Sequence, residues 1–313
     1  MAEAAPLIAT PLAPIPAGGG AEWFAGAGGA RLRAALFQPT ARARGSVVVS
    51  PGRTEPIEKY FEVVGELQAR GFAVLVHDWR GQGLSYRMLA DRTLGHAAGY
   101  RDFVDDHALL LQAFESRLPK PWMALGHSMG GCLVLLILAG GERRFSGAIL
   151  SAPMLGLRLG AVPLPVGRGL AATMAAVGLG GSPAPRGEAV ETFESNVLTH
   201  DRSRWERNQA QLAACPELAL GPPTWGWLDF AFSAIAVLER GDGVMAIDIP
   251  ITVASAGEDG VVDNLAQRRV TARVRGTRFV TVDGAYHEIL QETDPIRADF
   301  WRRFDDLAAR AAP

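Results

Sequence analysis

Short apolar runs alternate with amphipathic stretches along most of this chain, and the two patterns predict different elements. Apolar runs too short for a helix predict buried strands at residues 46–50, 72–76, 122–125, 147–151, 249–254 and 278–282. Apolar residues at helical spacing predict helices at residues 59–70, 100–118, 132–140, 261–274 and 295–309. Strands that alternate with helices form a mostly parallel sheet with helices on its faces, so the pattern predicts the α/β class.

Two segments depart from this alternation. Residues 1–20 are rich in proline and glycine and predict a loose N-terminal arm. From 153 to 248, prolines, glycines and tryptophans interrupt several short helical patterns, which predicts a cap inserted over the carboxyl ends of the strands. The rest of the chain, 21–152 and 249–313, is expected to form one α/β core that begins with a hairpin over 22–37.

One serine lies where a predicted strand ends and a predicted helix begins. The segment 126–130 reads Gly-His-Ser-Met-Gly and stands between the apolar runs 122–125 and 132–140. A serine on so tight a turn has a strained backbone, and the flanking glycines leave room for it. Ser128 is therefore the candidate nucleophile. The backbone N–H of Met129, at the start of the helix, is a candidate oxyanion donor.

A serine nucleophile needs a base, and the base needs an acid that orients it. In an elbow of this kind the acid and then the histidine follow the serine along the chain, each in a loop after a strand. His287 follows the last predicted strand and is the candidate base. Asp259, directly after the preceding strand, is the preferred acid. Asp263 and Glu258 are the alternatives, and helix capping is the simpler role for Asp263.

The second oxyanion donor is expected in a loop after an earlier strand. Residues 50–53 read Ser-Pro-Gly-Arg, which makes the backbone N–H of Arg53 the candidate. A guanidinium binds phosphate through two hydrogen bonds, so the Arg53 side chain is also a candidate for binding a phosphate group of a substrate. Trp225, Trp227 and Phe230 of the predicted cap are candidates for contact with an apolar part of a substrate. The cap's own core would explain the same apolar residues equally well.

Together these segments resemble the bacterial α/β-hydrolase lysophospholipases and the related monoacylglycerol lipases. The resemblance runs from about residue 47 to residue 287 and rests on segments 50–55, 78–85, 126–131, 257–264 and 285–288. Monoacylglycerol lipases usually carry His-Gly at the oxyanion loop. Pro51-Gly52 stands there in this chain, which is more similar to the lysophospholipase branch.

The resemblance implies an α/β-hydrolase fold with a helical cap, and a triad of Ser128, Asp259 and His287. The expected reaction is hydrolysis of a carboxylic ester in a lysophospholipid-type monoacyl lipid, through an acyl-enzyme. A monoacylglycerol lipase, or a short-chain esterase or peptidase with the same triad, is the alternative. The complete set of serine, acid and histidine argues against a binding protein without turnover.

Charge, cysteine count and motif spacing limit the kinds of partner and cofactor that we expect. A formal net charge of -2 gives no reason to expect nucleic-acid binding. Cys132 and Cys215 do not make a disulfide framework. Gln291 stands where a zinc motif starting at His287 would need a second histidine, so no metal or cofactor is expected.

No apolar run has the length of a bilayer span, and the first residues lack the pattern of a signal peptide. We expect a cytoplasmic protein, with peripheral contact at the inner face of the membrane left open and no oligomeric state indicated.

Overall fold

One mixed sheet organises the chain. The computed structural model describes residues 3–185, 192–241 and 243–312. Within them the sheet has nine strands in the order β1-β2-β3-β5-β4-β6-β7-β8-β9. The strands are β1 (Ala4–Ala5), β2 (Gly19–Ala25), β3 (Arg31–Phe37), β4 (Gly45–Ser50), β5 (Phe72–His77), β6 (Trp122–His127), β7 (Phe145–Ser151), β8 (Ile251–Ala256) and β9 (Arg278–Val282).

The six strands β4 to β9 run parallel, and β1 to β3 form an antiparallel extension. Helices cover both faces of the parallel part, so its central strands are buried on both sides and carry continuous apolar runs instead of alternation. Ser50 of β4 pairs with Gly126 of β6, and His127 pairs with Ser151 of β7. The loops that follow these three strands therefore leave the sheet at one edge. The predicted α/β class, a mostly parallel sheet with helices on its faces, is confirmed.

Eight α-helices lie in the described part of the chain. They are α1 (Phe61–Ala69), α2 (Arg101–Phe114), α3 (Met129–Ala139), α4 (Leu164–Ala176), α5 (Arg202–Ala214), α6 (Trp225–Arg240), α7 (Asn264–Thr271) and α8 (Asp294–Ala311). Helices α2, α3 and α6 share one apolar core with one face of the sheet, and α1 and α8 share another with the opposite face. Among the described residues, no helix combines the length and the apolarity needed to cross a bilayer.

The sequence predicted the order of core elements correctly, but some boundaries moved. The helix predicted from residue 261 begins at Asn264, because the Asp263 side chain accepts the N–H of Leu265 and caps it there. The helix predicted over 100–118 ends at Phe114 and passes into a short 3-10 turn. These shifts come from local capping and turn geometry, which apolar spacing does not record.

The expectation of a loose N-terminal arm is wrong for the residues that the structure describes. β1 pairs antiparallel with β2, the backbone carbonyl of Pro6 accepts a hydrogen bond from Arg33 at 3.0 Å, and Ala13 is buried. A proline lacks only its own N–H donor, so its carbonyl and its neighbours can still bond to an edge strand. The prolines shape this segment without releasing it from the sheet.

The region from 153 to 248, predicted as a cap, contains helices α4, α5 and α6. Its described residues contribute no strand to the sheet. Residues 186–191 of this region lie outside the described residues. The three helices come between β7 and β8 in the chain, where the regular alternation of strand and helix is interrupted. We call residues 153–248 the cap below.

Candidate active site

The turn between β6 and α3 holds Ser128 in a strained backbone conformation, and the neighbouring glycines leave room for it. Its backbone has φ +49° and ψ −114°, a strained combination for a residue with a side chain. A Cβ on Gly130 would lie 2.0 Å from the carbonyl oxygen of Ser50, and one on Gly126 would lie 2.8 Å from the Cα of Gly131. Only glycine allows these backbones to approach, which explains the Gly-x-Ser-x-Gly spacing.

Backbone hydrogen bonds hold this strained residue in place. The N–H of Ser128 donates to the carbonyl of Ser151 at 3.0 Å. The carbonyl of Ser128 accepts the N–H of Cys132 at 3.1 Å and the N–H of Met154 at 2.9 Å. Every backbone polar group of the residue therefore has a partner, so the strain is offset by the surrounding structure.

Ser128, His287 and Asp259 form one line of hydrogen bonds. The Oγ of Ser128 lies 2.9 Å from Nε2 of His287, and Nδ1 of His287 lies 2.9 Å from Oδ2 of Asp259. All three residues are buried, with Ser128 the most exposed at 8%. Both distances are within the reach needed for proton transfer from a serine to a histidine oriented by an acid.

Asp259 is held in its ionised form. Its Oδ1 accepts the N–H groups of Val261 and Val262 at 2.8 and 2.9 Å. Burial by itself raises the pKa of Asp259, but the hydrogen bond from His287 and the two backbone donors outweigh burial and hold this pKa below its usual value. A carboxylate opposite Nδ1 fixes the proton there, which leaves Nε2 of His287 able to accept the serine proton.

The two alternative acids lie elsewhere. Asp263 caps α7, where its Oδ1 accepts the N–H of Leu265 at 2.8 Å. Glu258 is exposed to solvent. Of the three carboxylates, the structure brings Asp259 to His287.

The two predicted oxyanion donors follow neighbouring strands, Arg53 after β4 and Met129 after β6. Met129 is the first residue of α3, where backbone N–H groups have no partner within the helix. Arg53 follows Gly52, whose carbonyl accepts the side-chain amide of Gln82 at 2.9 Å. On the other side of Arg53, the N–H of Thr54 donates to Oε1 of Gln82 at 3.1 Å. The side chain of Gln82 therefore bonds to the backbone on both sides of Arg53.

A cavity of about 370 Å³ opens beside Ser128 and His287. Much of its wall is apolar and comes from the cap and its borders, with Met154, Leu157, Val197, Leu212, Trp227 and Val262 among the lining side chains. Arg53 also lines it, with its guanidinium 5.2 Å from the centre of the Trp227 ring and donating to the carbonyl of Gly221 at 2.5 Å. Ser128 therefore faces a cavity whose wall combines apolar side chains with charged ones, Arg53 among them.

Comparison with known proteins assigns this arrangement to a family. Residues 41–294 match the family described as serine aminopeptidase, S33. The chain belongs to this family of hydrolases. It is 37% identical over 273 residues to lysophospholipase L2 of Escherichia coli (strain K12), covering 80% of this chain and 76% of that protein. It is 27% identical to the monoacylglycerol lipase of Mycolicibacterium smegmatis, covering 87% and 91% of the two chains.

A solved structure with a similar fold agrees with this assignment. A soluble variant of the monoglyceride lipase from Saccharomyces cerevisiae, in complex with a substrate analog, superimposes with a TM-score of 0.74 over 93% of this chain and 95% of that one. The two sequences are only 18% identical, so this likeness concerns the fold. The S33 hydrolase described here is an enzyme of the α/β-hydrolase class.

The predicted acyl-chain contacts of this hydrolase need correction. Trp227 lines the cavity, but neither Trp225 nor Phe230 is among its described lining residues. Phe230 is 1% exposed and stacks on Phe103 of α2 at a centroid distance of 4.9 Å, so it belongs to the core between helices. Trp225 is half-buried at the first turn of α6. Apolar spacing marks a helix face but does not show which part of it another helix covers.

Sequence reasoning missed one cavity wall. Trp205, Asn208 and Leu212 of α5 line the cavity. Their spacing places them on one face of a helix, and this spacing was the available signal. The helix is polar overall, so its contribution to a substrate cavity was not evident from hydropathy.

Sequence reasoning also missed a network of buried charged side chains next to Ser128 and His287. Nζ of Lys59 lies 3.1 Å from Oε1 of Glu55 and 2.5 Å from Oε1 of Glu288. Nδ1 of His127 lies 3.0 Å from Oε2 of Glu55, and the hydroxyl of Tyr60 donates to the same oxygen at 2.6 Å. All five residues are buried. We call Glu55, Lys59, Tyr60, His127 and Glu288 the buried charge network.

Proposed function

We propose that this enzyme hydrolyses carboxylic esters of monoacyl lipids of the lysophospholipid type, with Ser128 as the nucleophile. The observation that carries the proposal is the hydrogen-bonded line from Asp259 through His287 to Ser128, which ends at a cavity with a largely apolar wall. The 37% identity to a lysophospholipase L2 over most of both chains supports the same substrate class.

In the proposed reaction, Ser128 Oγ attacks the ester carbonyl carbon while His287 Nε2 takes the serine proton. The carbonyl oxygen becomes negative and is stabilised by the backbone N–H groups of Met129 and Arg53. When the tetrahedral intermediate collapses, His287 gives its proton to the leaving alcohol. A water molecule then attacks the acyl-enzyme with His287 as base, releases the fatty acid and restores Ser128. Throughout, the Asp259 carboxylate stabilises the imidazolium of His287.

The cavity supports a substrate with one apolar chain. Each methylene that leaves water for an apolar wall contributes about 0.8 kcal/mol. Met154, Leu157, Leu212 and Val262 are the side chains to which we assign this contact. Arg53 brings a guanidinium to the same cavity, and we assign it to the phosphate of the headgroup.

A monoacylglycerol lipase is the second candidate, and the relative from Mycolicibacterium smegmatis favours it. Its substrate has the same acyl chain without a phosphate, so the effect of Arg53 on the two substrates separates the candidates. Peptidase activity, suggested by the family description, has less support. An aminopeptidase needs a carboxylate for the substrate ammonium, and Glu55 and Glu288 of the cavity wall are both bonded to Lys59.

We also propose contact with a lipid surface through α4. Leu164, Val166 and Leu170 of this helix are between 44% and 59% exposed, and Arg168 is its one charged residue. Val166 and Leu170 are four residues apart and therefore lie on one face of the helix, and neighbouring exposed aliphatic side chains are unusual on a surface that meets only water. Val197 is both exposed and part of the cavity wall, so apolar surface also lies at the cavity. A lipid surface fits this combination, because the proposed substrate resides there. The cytoplasmic location expected from the sequence stays a prediction.

The test of the proposed function is a substrate panel with the purified protein. Lysophosphatidylcholine, a monoacylglycerol of the same chain length, a short p-nitrophenyl ester and an aminoacyl amide are compared by kcat/KM. We expect the lysophospholipid to rank first and Ser128→Ala to abolish turnover of every ester without a change in thermal stability. Preferred cleavage of the amide, or activity retained by Ser128→Ala, would overturn the proposal.

A further inference from the structure

The buried charge network includes a histidine whose two ring nitrogens both face oxygen acceptors. Nδ1 of His127 lies 3.0 Å from Oε2 of Glu55, and Nε2 lies 3.2 Å from the backbone carbonyl oxygen of His287. The carbonyl carries no proton to donate, so the hydrogen bond at Nε2 requires a proton on that nitrogen. The protonation state of His127 therefore depends on whether Glu55 is ionised.

Glu55 is a carboxylate in this arrangement. Its two oxygens receive the N–H of Gly52, the hydroxyl of Tyr60 and the ammonium of Lys59, besides the bond to His127. An ammonium, a hydroxyl and a backbone N–H all donate to these oxygens, and such donors favour the ionised carboxylate against the burial that disfavours it. An ionised carboxylate accepts and does not donate, so Nδ1 of His127 also carries a proton.

We propose that His127 is an imidazolium at neutral pH and positions the base and the oxyanion loop. Its charge balances the network. Glu55 and Glu288 contribute two negative charges, and Lys59 and His127 contribute two positive ones. A neutral His127 would leave one uncompensated negative charge among buried groups, which is costly.

The proposed role follows from what the imidazolium touches. Nε2–H of His127 donates to the carbonyl of His287 and fixes the backbone of the base. Through Nδ1–H it holds Glu55, which in turn receives the N–H of Gly52, next to the proposed donor Arg53. His127 itself ends β6, directly before Ser128. One side chain thus joins the three loops that carry the nucleophile, the base and the oxyanion donor.

A fixed charge at His127 also acts on the base electrostatically. The rings of His127 and His287 are 5.0 Å apart. At that distance the charge contributes to the electrostatic potential at the site, so its removal changes the stabilisation of the charges that form there during the reaction. Lys59, Glu55 and Glu288 are the other charged groups of the network, and Asp259 bonds to Nδ1 of His287.

The kinetic test uses His127→Gln, which removes the charge but keeps a polar side chain. We expect kcat to fall with little change in KM. His96→Gln is the matched control, because His96 is a half-buried histidine bonded to Thr224 at the cap border. It should leave both kcat and KM near the wild-type values. An unchanged kcat in His127→Gln, or a loss that comes from KM instead of kcat, would overturn the proposal.

A second measurement does not depend on activity, whereas the kinetic arm rests on the proposed function. Imidazole nitrogen NMR of the labelled wild-type chain between pH 7 and 8 should show signals of a histidine with both nitrogens protonated. These signals should disappear in His127→Gln or, where that variant does not fold, move in Glu55→Gln. A neutral tautomer at His127 at pH 7 would overturn the proposal. Failure of ester hydrolysis in the wild type would overturn the proposed function and leave the NMR result standing.

Discussion

At the scale of single residues, the loop after β8 holds two aspartates with different partners. Asp259 bonds to His287, while Asp263 caps α7. We predict that Asp259→Asn lowers kcat on the order of a thousandfold or more, because the amide does not stabilise the imidazolium or hold the tautomer. Asp263→Asn should leave kcat and stability near the wild-type values, since asparagine also caps helices. Steady-state kinetics on a lysophospholipid, with thermal midpoints for both variants, checks the ranking. The opposite order would assign the acid to Asp263.

Substitution of Arg53 tests whether the substrate carries a phosphate headgroup. Its guanidinium lies over Trp227 and donates to Gly221, so Arg53→Ala removes a cap contact that affects every substrate. We predict an additional loss for lysophospholipid, of the order of one charge-assisted hydrogen bond. That bond is worth about 1.5–3 kcal/mol, or roughly ten- to hundredfold in kcat/KM. A monoacylglycerol of equal chain length is the control substrate. An equal loss of kcat/KM for both substrates would show that Arg53 only shapes the cavity wall, and it would favour the hypothesis of a monoacylglycerol lipase.

At the scale of elements, the strand–turn–helix unit at Ser128 tolerates no side chain at Gly130. A Cβ there would lie 2.0 Å from the carbonyl oxygen of Ser50, at the base of the oxyanion loop. We predict that Gly130→Ala displaces this loop, with loss of activity and a lower melting temperature. Gly65→Ala is the control, because Gly65 lies within α1 and a Cβ there meets no atom within 4 Å. It should be neutral or stabilising by up to about 1 kcal/mol. Wild-type activity in Gly130→Ala would contradict the geometry proposed for the elbow.

The exposed side of α4 gives a second prediction at this scale. We expect the double substitution Val166→Ser and Leu170→Ser to reduce cosedimentation with phosphatidylcholine vesicles, because the two side chains are 59% and 45% exposed on an almost uncharged helix. Turnover of a short water-soluble ester should not change. Leu12→Ser, at a leucine 58% exposed in the N-terminal segment, is the matched control. Equal vesicle binding by all three proteins would remove α4 as the contact.

At the scale of the whole molecule, His77 and His107 are buried side by side in the core, with ring centroids 5.8 Å apart. Burial lowers the pKa of His107 to about 4 and that of His77 well below its usual value. In the unfolded chain both titrate near 6.5, so below that pH the unfolded state binds more protons. The free energy of unfolding should therefore fall as the pH drops from 6.5 towards 4, by about 1.4 kcal/mol per pH unit for each histidine.

His107→Phe provides the measurement. Phenylalanine keeps an aromatic ring beside Trp79 and Phe145 and removes one titrating group. Urea unfolding at several pH values between 5 and 6.5 should show a shallower decline in the variant than in the wild type. Identical slopes would mean that His107 is protonated in the folded protein or does not titrate in this range.

Much of the fold was predictable because its signals are local. Short apolar runs, helical spacing and the glycines around Ser128 each arise within a few residues, so the order of strands and helices in the core could be read directly. The order of serine, acid and histidine along the chain is also a property of the sequence. The sequence by itself therefore determined the α/β-hydrolase fold and proposed Ser128, Asp259 and His287 as neighbours.

Only the tertiary structure decided which polar and apolar side chains meet across long stretches of chain. Glu55 and His127 are 72 residues apart, and His127 meets the carbonyl of His287 across 160 residues. Lys59 is buried between two carboxylates. No local pattern in the sequence shows this, because charged residues are usually exposed and a sequence-based prediction places them at the surface. Phe230 packs on Phe103 of α2 in the core and does not line the cavity beside Ser128. The physical reason is common to these cases, since burial and protonation depend on neighbours that the folded chain supplies.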